Sequence, residues 1–196
     1  MRCLGTAFKA AASRRTPKAA ALQMTELIDV LTSEGLPTGD RKPKSEIHLR
    51  GHWHRAAHVW IIATDGRILL QRRSPRKENN PELWDVSAAG HLSAGERSID
   101  AAIREAQEEL GLQLRAEELR FMTTLRESCV LNRGTYIDNE FHDIFMVRRD
   151  VDLASLTLDP EEVAEVKWVR ELTPDATFVP HEEEYALVAA AVGGLL

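Results

Sequence analysis

Three glutamates, Glu105, Glu108 and Glu109, stand three and four residues apart in a segment with helical periodicity. On a helix they crowd into an arc of about 100°, where like charges at these spacings repel. The adjacent Arg104 is one cation against three carboxylates. Hard divalent ions take oxygen ligands of this kind, so the chemistry implied is metal-assisted. Glu96 precedes the helix in a loop bounded by Gly90 and Gly95, where backbone can approach a ligand closely. Taken alone, the glutamate pair reads more plainly as a solvated acidic helix face. The glycine loop, Glu96, the Arg104–Glu105 pair and the closing Gly111 favour a metal instead.

The helix that must carry these groups is predicted over 98–110, with Ser98 as its cap and Gly111 at C′. Ile99, Ile103, Ala106 and Leu110 form its apolar stripe. Strand patterns occupy 25–30, 56–64, 67–72, 83–89, 119–129, 140–148 and 163–169, with a turn at 33–39 and a hairpin signal at Asp65-Gly66. Residues 41–55 read as a polar, His-rich connection, 74–82 as a polar loop and 182–192 as a closing helix. The fold class expected is α/β, a mixed sheet between helices. Glu182, Glu183 and Glu184 read as a charged helix start favoured by the dipole.

The chain has 196 residues, 25 Lys+Arg, 31 Asp+Glu, two cysteines and a net charge of −6. Residues 1–23 hold five basic side chains and no acid, which leaves a body with 20 bases and 31 acids. We expect a basic, disordered extension over 1–23, either a targeting segment or an over-extended start, and one domain over 24–196. An acidic body argues against gripping a nucleic-acid polymer. No apolar run approaches the ~20 residues that span a bilayer. Cys3 and Cys129 make no disulfide or zinc framework, which suits a cytoplasmic protein. Cys129 reads as a small buried hydrophobe.

Gly90, Glu96, Arg104, Glu105, Ala106, Glu108, Glu109, Gly111 and Leu112 follow the order and spacing of a known signature. Its seven fixed residues would match by chance on the order of 10⁻⁸ per starting position. By this box the chain resembles the Nudix hydrolases. Segments 29–39, 54–60, 70–74 and 84–91 are similar to the branch related to isopentenyl diphosphate isomerase, so the resemblance covers about residues 25–170. It implies a Nudix-type α/β/α sandwich and metal-dependent hydrolysis of a phosphoanhydride in a nucleoside di- or triphosphate, or another nucleotide-linked diphosphate. It implies Mg²⁺ or Mn²⁺ held by Glu105, Glu108, Glu109 and the Gly90 carbonyl, with Arg104 orienting the carboxylates. The general base varies across the family. Glu105 is named first, Glu96 second, and Glu140 further along the chain.

The isomerase protonates a carbon–carbon double bond with a cysteine just before the Gly-His of this loop, where Ala89 stands here. It also carries a second metal site of histidines and glutamates, and His58, His91 and Glu140 fall at or near those positions. His54 and His58, four apart, would share one strand face. His48, His52, His142 and His181 are weaker candidates. Arg73, Arg72 and His91 are candidate substrate ligands, with Arg73 first; Arg76 and Lys77 lie beside them, and a solvated basic loop is an equal reading of these arginines and the lysine. Trp53, Trp60 and Trp84 could stack on a base, although core packing suits Trp60 better. A catalytically silent, nucleotide-binding domain is the other class of function, and homodimers are compatible with the sequence. The base, sugar and leaving group stay open.

Overall fold

A computed structural model describes residues 26–194; the basic 1–23 extension and Cys3 lie outside them. β1 (Leu27–Leu31) and β2 (Pro37–Pro43) form an antiparallel ribbon apart from the main sheet. The segment read as a polar connection contains instead a short helix, α1 (Lys44–Arg50). Gly51 closes it at φ 65°, ψ 39°, a left-handed position suited to glycine.

The main sheet has seven strands: β3 (His54–Ile62), β4 (Ile68–Arg73), β5 (Trp84–Asp85), β6 (Ala88–His91), β7 (Arg120–Leu131), β8 (Tyr136–Arg148) and β9 (Val163–Val169). β3 and β8 are parallel neighbours at its centre, and the other pairings are antiparallel, so the sheet is mixed. β3 is apolar on both faces because helices cover both. Ala57, Val59 and Ile61 face α2 (Ser98–Leu110), with Ala102, Ala106 and Leu110. Trp60 and Ile62 face α3 (Glu182–Gly193), with Tyr185, Val188 and Val192. The result is an α/β/α sandwich, as expected.

Two local expectations are corrected. Arg97, not Ser98, is the extended residue that caps α2, and it makes no side-chain cap bond; Ser98 is already helical and its hydroxyl is buried without a partner. The most buried face of α2 is Ala101, Ala102, Ala106, Glu109 and Leu110, with Ile99 and Ile103 only partly covered. Alanines let the helix sit close to the sheet.

The run 83–89 is also not one strand. β5 pairs with β4 and β6 pairs with β3, so the chain crosses between them. β8 occupies one edge of β3; the other is shared by β4 near Ile62 and by β6 along Ala56–Val59. The sheet therefore forks. Ser87 fills the crotch: its hydroxyl donates to the Leu69 carbonyl (2.6 Å) and accepts from the Ile61 N–H (2.9 Å). Ser87→Ala strands two buried backbone groups and is expected to cost about 1–3 kcal/mol, seen as a lower denaturant midpoint at unchanged slope. An unchanged midpoint would show that the fork closes without the hydroxyl.

Candidate active site

The α2 carboxylates meet the sheet at this fork. Glu109 is 3% exposed, and its Oε2 accepts from the Ala89 N–H of β6 (3.0 Å) and from Gln71 Nε2 of β4 (3.1 Å). Glu105 lies against Gly90, where an added Cβ would stand 2.0 Å from its Oε1. Burial raises both carboxyls above their ordinary values, Glu109 to about 8. Glu108 is the more exposed of the three. A buried and a half-buried carboxylate beside a close-lying backbone are a donor set for a hard divalent cation, so Glu105, Glu108, Glu109 and Gly90 fit one chemically.

Arg104 organises this wall. It donates to Glu96 Oε1 (2.9 Å) and Oε2 (2.8 Å), Glu105 Oε1 (2.6 Å), Glu108 Oε2 (3.0 Å) and the His91 carbonyl (2.9 Å). Glu96 also accepts from the Ser93 N–H (2.8 Å). These bonds overcome burial and hold its carboxyl below the usual range. With both oxygens committed, Glu96 is placed to fix the loop and Arg104 rather than to take a proton from water.

A second cluster assembles on the α3 face. His48 from α1, His54 from β3 and His91 from β6 have ring centroids 4.9–5.1 Å apart. Asp138 and Glu140 of β8 face them: His48 Nδ1 lies 3.4 Å from Asp138, and His54 and His91 Nε2 lie 3.2 and 3.3 Å from Glu140 Oε1. His54 Nδ1 is bonded to the His52 carbonyl (3.0 Å), which turns Nε2 inward. Among the described residues, eight buried side-chain polar atoms lack a hydrogen-bond partner, and five belong to His48, His54, Asp138 and Glu140. Imidazoles and carboxylates with orphaned atoms converging fit a transition-metal ion.

His91 and Glu140 thus come together as the sequence suggested, but His58 does not join them. Strand residues four apart share a face yet stand roughly 13 Å apart. His58 sits instead with Glu184 and His142: its Nδ1 lies 2.9 and 3.1 Å from the two Glu184 oxygens, and its ring stacks on His142 at 4.1 Å. His142 Nε2 bonds Glu140 Oε2 (3.0 Å), and His181 Nδ1 bonds Glu127 (2.9 Å). Glu184 is 1% exposed, so it is no solvated helix start.

The α2 carboxylates line one cleft of about 720 Å³ together with His91, Asp138 and Glu140, while His48 and His54 are buried and do not line it. Arg73 is on its wall, donating to Asp85 (2.9 Å) and the Asn79 carbonyl (3.2 Å). Arg76 and Lys77 are there too, paired with Glu161 and Glu162. Arg72 is not: adjacent strand residues point to opposite faces, and it meets Glu165 (3.1 Å) and Glu82 (3.5 Å) outside the cleft. None of Trp53, Trp60 and Trp84 lines the cleft; Trp60 is wholly buried, and Arg126 and Lys167 cover Trp53 and Trp84. Sequence reasoning missed Lys44, which lines the cleft and whose charge acts on both Glu105 and His91. It also ranked His48 low and did not single out Asp138. Gly51, following Leu49-Arg50, was the available signal that a helix carries Lys44 and His48.

A family model described as a NUDIX domain matches residues 52–186. The chain is 44% identical over 147 residues to Nudix hydrolase 3 of Arabidopsis thaliana, covering 74% of this chain but only about a fifth (19%) of that relative. It is 36% identical over 140 residues to an isopentenyl-diphosphate Delta-isomerase of a Jannaschia species, covering 71% of this chain and 74% of the relative. A Deinococcus radiodurans crystal structure superposes with a TM-score of 0.56 at 22% identity, over 74% of this chain and 83% of that one, a likeness of fold. No helix among the described residues is long and apolar enough to cross a membrane.

Proposed function

The chain belongs to the Nudix family, and from that premise we propose that it hydrolyses a phosphoanhydride bond in a nucleoside di- or triphosphate or another nucleotide-linked diphosphate. The observation that carries the reading is the pair of carboxylates at the fork of the sheet, half-buried Glu105 against Gly90 and buried Glu109 bonded to the Ala89 N–H. Mg²⁺ or Mn²⁺ held by Glu105, Glu108, Glu109 and the Gly90 carbonyl would neutralise phosphate charge and acidify water. Arg104 keeps the carboxylates in register, while Arg73, Arg76, Lys77 and Lys44 bring positive charge to the diphosphate. The cleft volume lies within the range that small-ligand sites occupy. A cytoplasmic setting goes with this reading. The test is a panel of nucleotides and nucleotide-linked diphosphates given to metal-stripped protein, with Mg²⁺ or Mn²⁺ restored. Release of phosphate or a nucleoside monophosphate only with metal is expected. No turnover across the panel would overturn the reading.

The His48–His54–His91 cluster favours one second reading, an isomerase-like protein, because that resemblance implies a metal there. Ala89 supplies no thiol, and isopentenyl diphosphate incubated in deuterated water is expected to take up no label. The cluster itself is proposed as a metal centre in a hydrolase. Metal analysis of purified protein should find about one transition-metal ion per chain, lost in His54→Ala while Mg²⁺-dependent turnover is at least partly retained. Equal metal content in the variant would remove the centre.

A further inference from the structure

We propose that His58, aimed by Glu184, is the general base that takes a proton from the water attacking the diphosphate. This rests on the hydrolase reading and adds the base that reading leaves open. A carboxylate can only accept, so with both Glu184 oxygens within 3.1 Å the Nδ1 of His58 carries the hydrogen. Nε2 is then the ring atom left to take up a proton. It has no hydrogen-bond partner among the described residues, is not sealed from solvent, and belongs to a residue that lines the cleft. Glu184 is itself held: Trp60 Nε1 donates to its Oε1 at 2.7 Å, and the carboxylate stays ionised because His58 and His142 outweigh the cost of burial. The arrangement has the logic of a base oriented by a buried acid.

The other candidate bases are already engaged. Glu96 is tied by Arg104 and Ser93, Glu105 is bonded to Arg104 and set against Gly90, and Glu140 is shared by His54, His91 and His142. In the step itself a water oxygen bonds to phosphorus and the bridging P–O bond breaks. The departing phosphate keeps the electron pair, and the water proton moves to His58 Nε2. The imidazolium, stabilised by Glu184, returns that proton to solvent. No further reactant is required.

Groups facing the ring are Glu184 from α3, the stacked His142 from β8, His181 at 5.4 Å from the segment before α3, and Asp85 from β5. His58→Asn keeps a donor towards Glu184 and guards against misfolding, and His58→Ala opens room for free imidazole. On a substrate the wild type turns over, both variants are expected to lose about 10²–10⁴-fold in kcat, with KM within about threefold. Free imidazole should restore turnover to His58→Ala and leave His58→Asn unchanged. Glu184→Gln should lower kcat with little change in KM, as a positioning residue does. A kcat within threefold of wild type in either folded histidine variant, or no rescue of His58→Ala by imidazole, overturns the base alone. A wild type silent on every substrate sinks the hydrolase reading and the base with it.

Discussion

Glu109→Gln is expected to cut metal-dependent turnover by about a thousandfold or more, and at the same time to stabilise the metal-free protein at alkaline pH. The two effects share one cause. Burial raises the Glu109 carboxyl to about 8, against an ordinary value near 4.5. Between those values the folded chain holds a proton that the unfolded chain releases. The Glu109 contribution to metal-free stability is therefore complete below the lower value and is lost as pH rises towards 8. The loss is on the order of 3–5 kcal/mol. Glutamine keeps an oxygen for the Ala89 N–H and Gln71 without the charge. Thermal melts of both proteins, stripped of metal, between pH 5 and 9 should diverge, with the wild type falling more steeply. Parallel curves would mean that Glu109 is not the desolvated acid described, and undiminished turnover would remove it from the metal set.

The second large effect is steric. An alanine methyl at position 90 would lie 2.0 Å from Glu105 Oε1 and 2.1 Å from its Cδ, far inside contact distance. What it meets is the end of a flexible side chain, so the fold tolerates Gly90→Ala by moving the carboxylate. That carboxylate is also bonded to Arg104, and its shift disturbs the bonds to Glu96 and Glu108. Displacing a reacting or ligating group by about 1 Å costs on the order of a hundredfold in rate. The expected result is a protein with a near-normal melting temperature, about a hundredfold slower and weaker in Mn²⁺ affinity. Full activity would show that Glu105 has no fixed place against that backbone.

The carboxylate helix was legible because its information is local: the glutamate spacing, Arg104 and the terminal Gly111 act within a few turns of one element. The layer order was legible too, since β3 is apolar on both faces and the closing helix carries an Ala/Leu/Val face. The fork was not. Residues 83–89 have the composition of one strand, and nothing local states that β3 offers a single edge to two partners. For the same reason Ser87 looked like any strand serine. Glu184 stands in the first turn of α3, where an acid suits the helix dipole, and only the packing of α3 over His58 and Trp60 turns it inward. Arg72 and Arg73 were indistinguishable by type. The strand pleat separates them, sending one to the cleft and the other to Glu165.

In the parallel pairing of β3 with β8, His54 lies opposite Glu140 and Ala56 opposite His142. Side chains alternate along each strand, so sliding β8 by one residue would send Glu140 and His142 beneath α2 and turn Asn139, Phe141 and Asp143 towards the histidines. The imidazole cluster therefore acts as a gauge of strand alignment. A misaligned chain could still hide its greasy side chains, but it would take Asp138 and Glu140 away from those rings, and so the chemistry polices the folding.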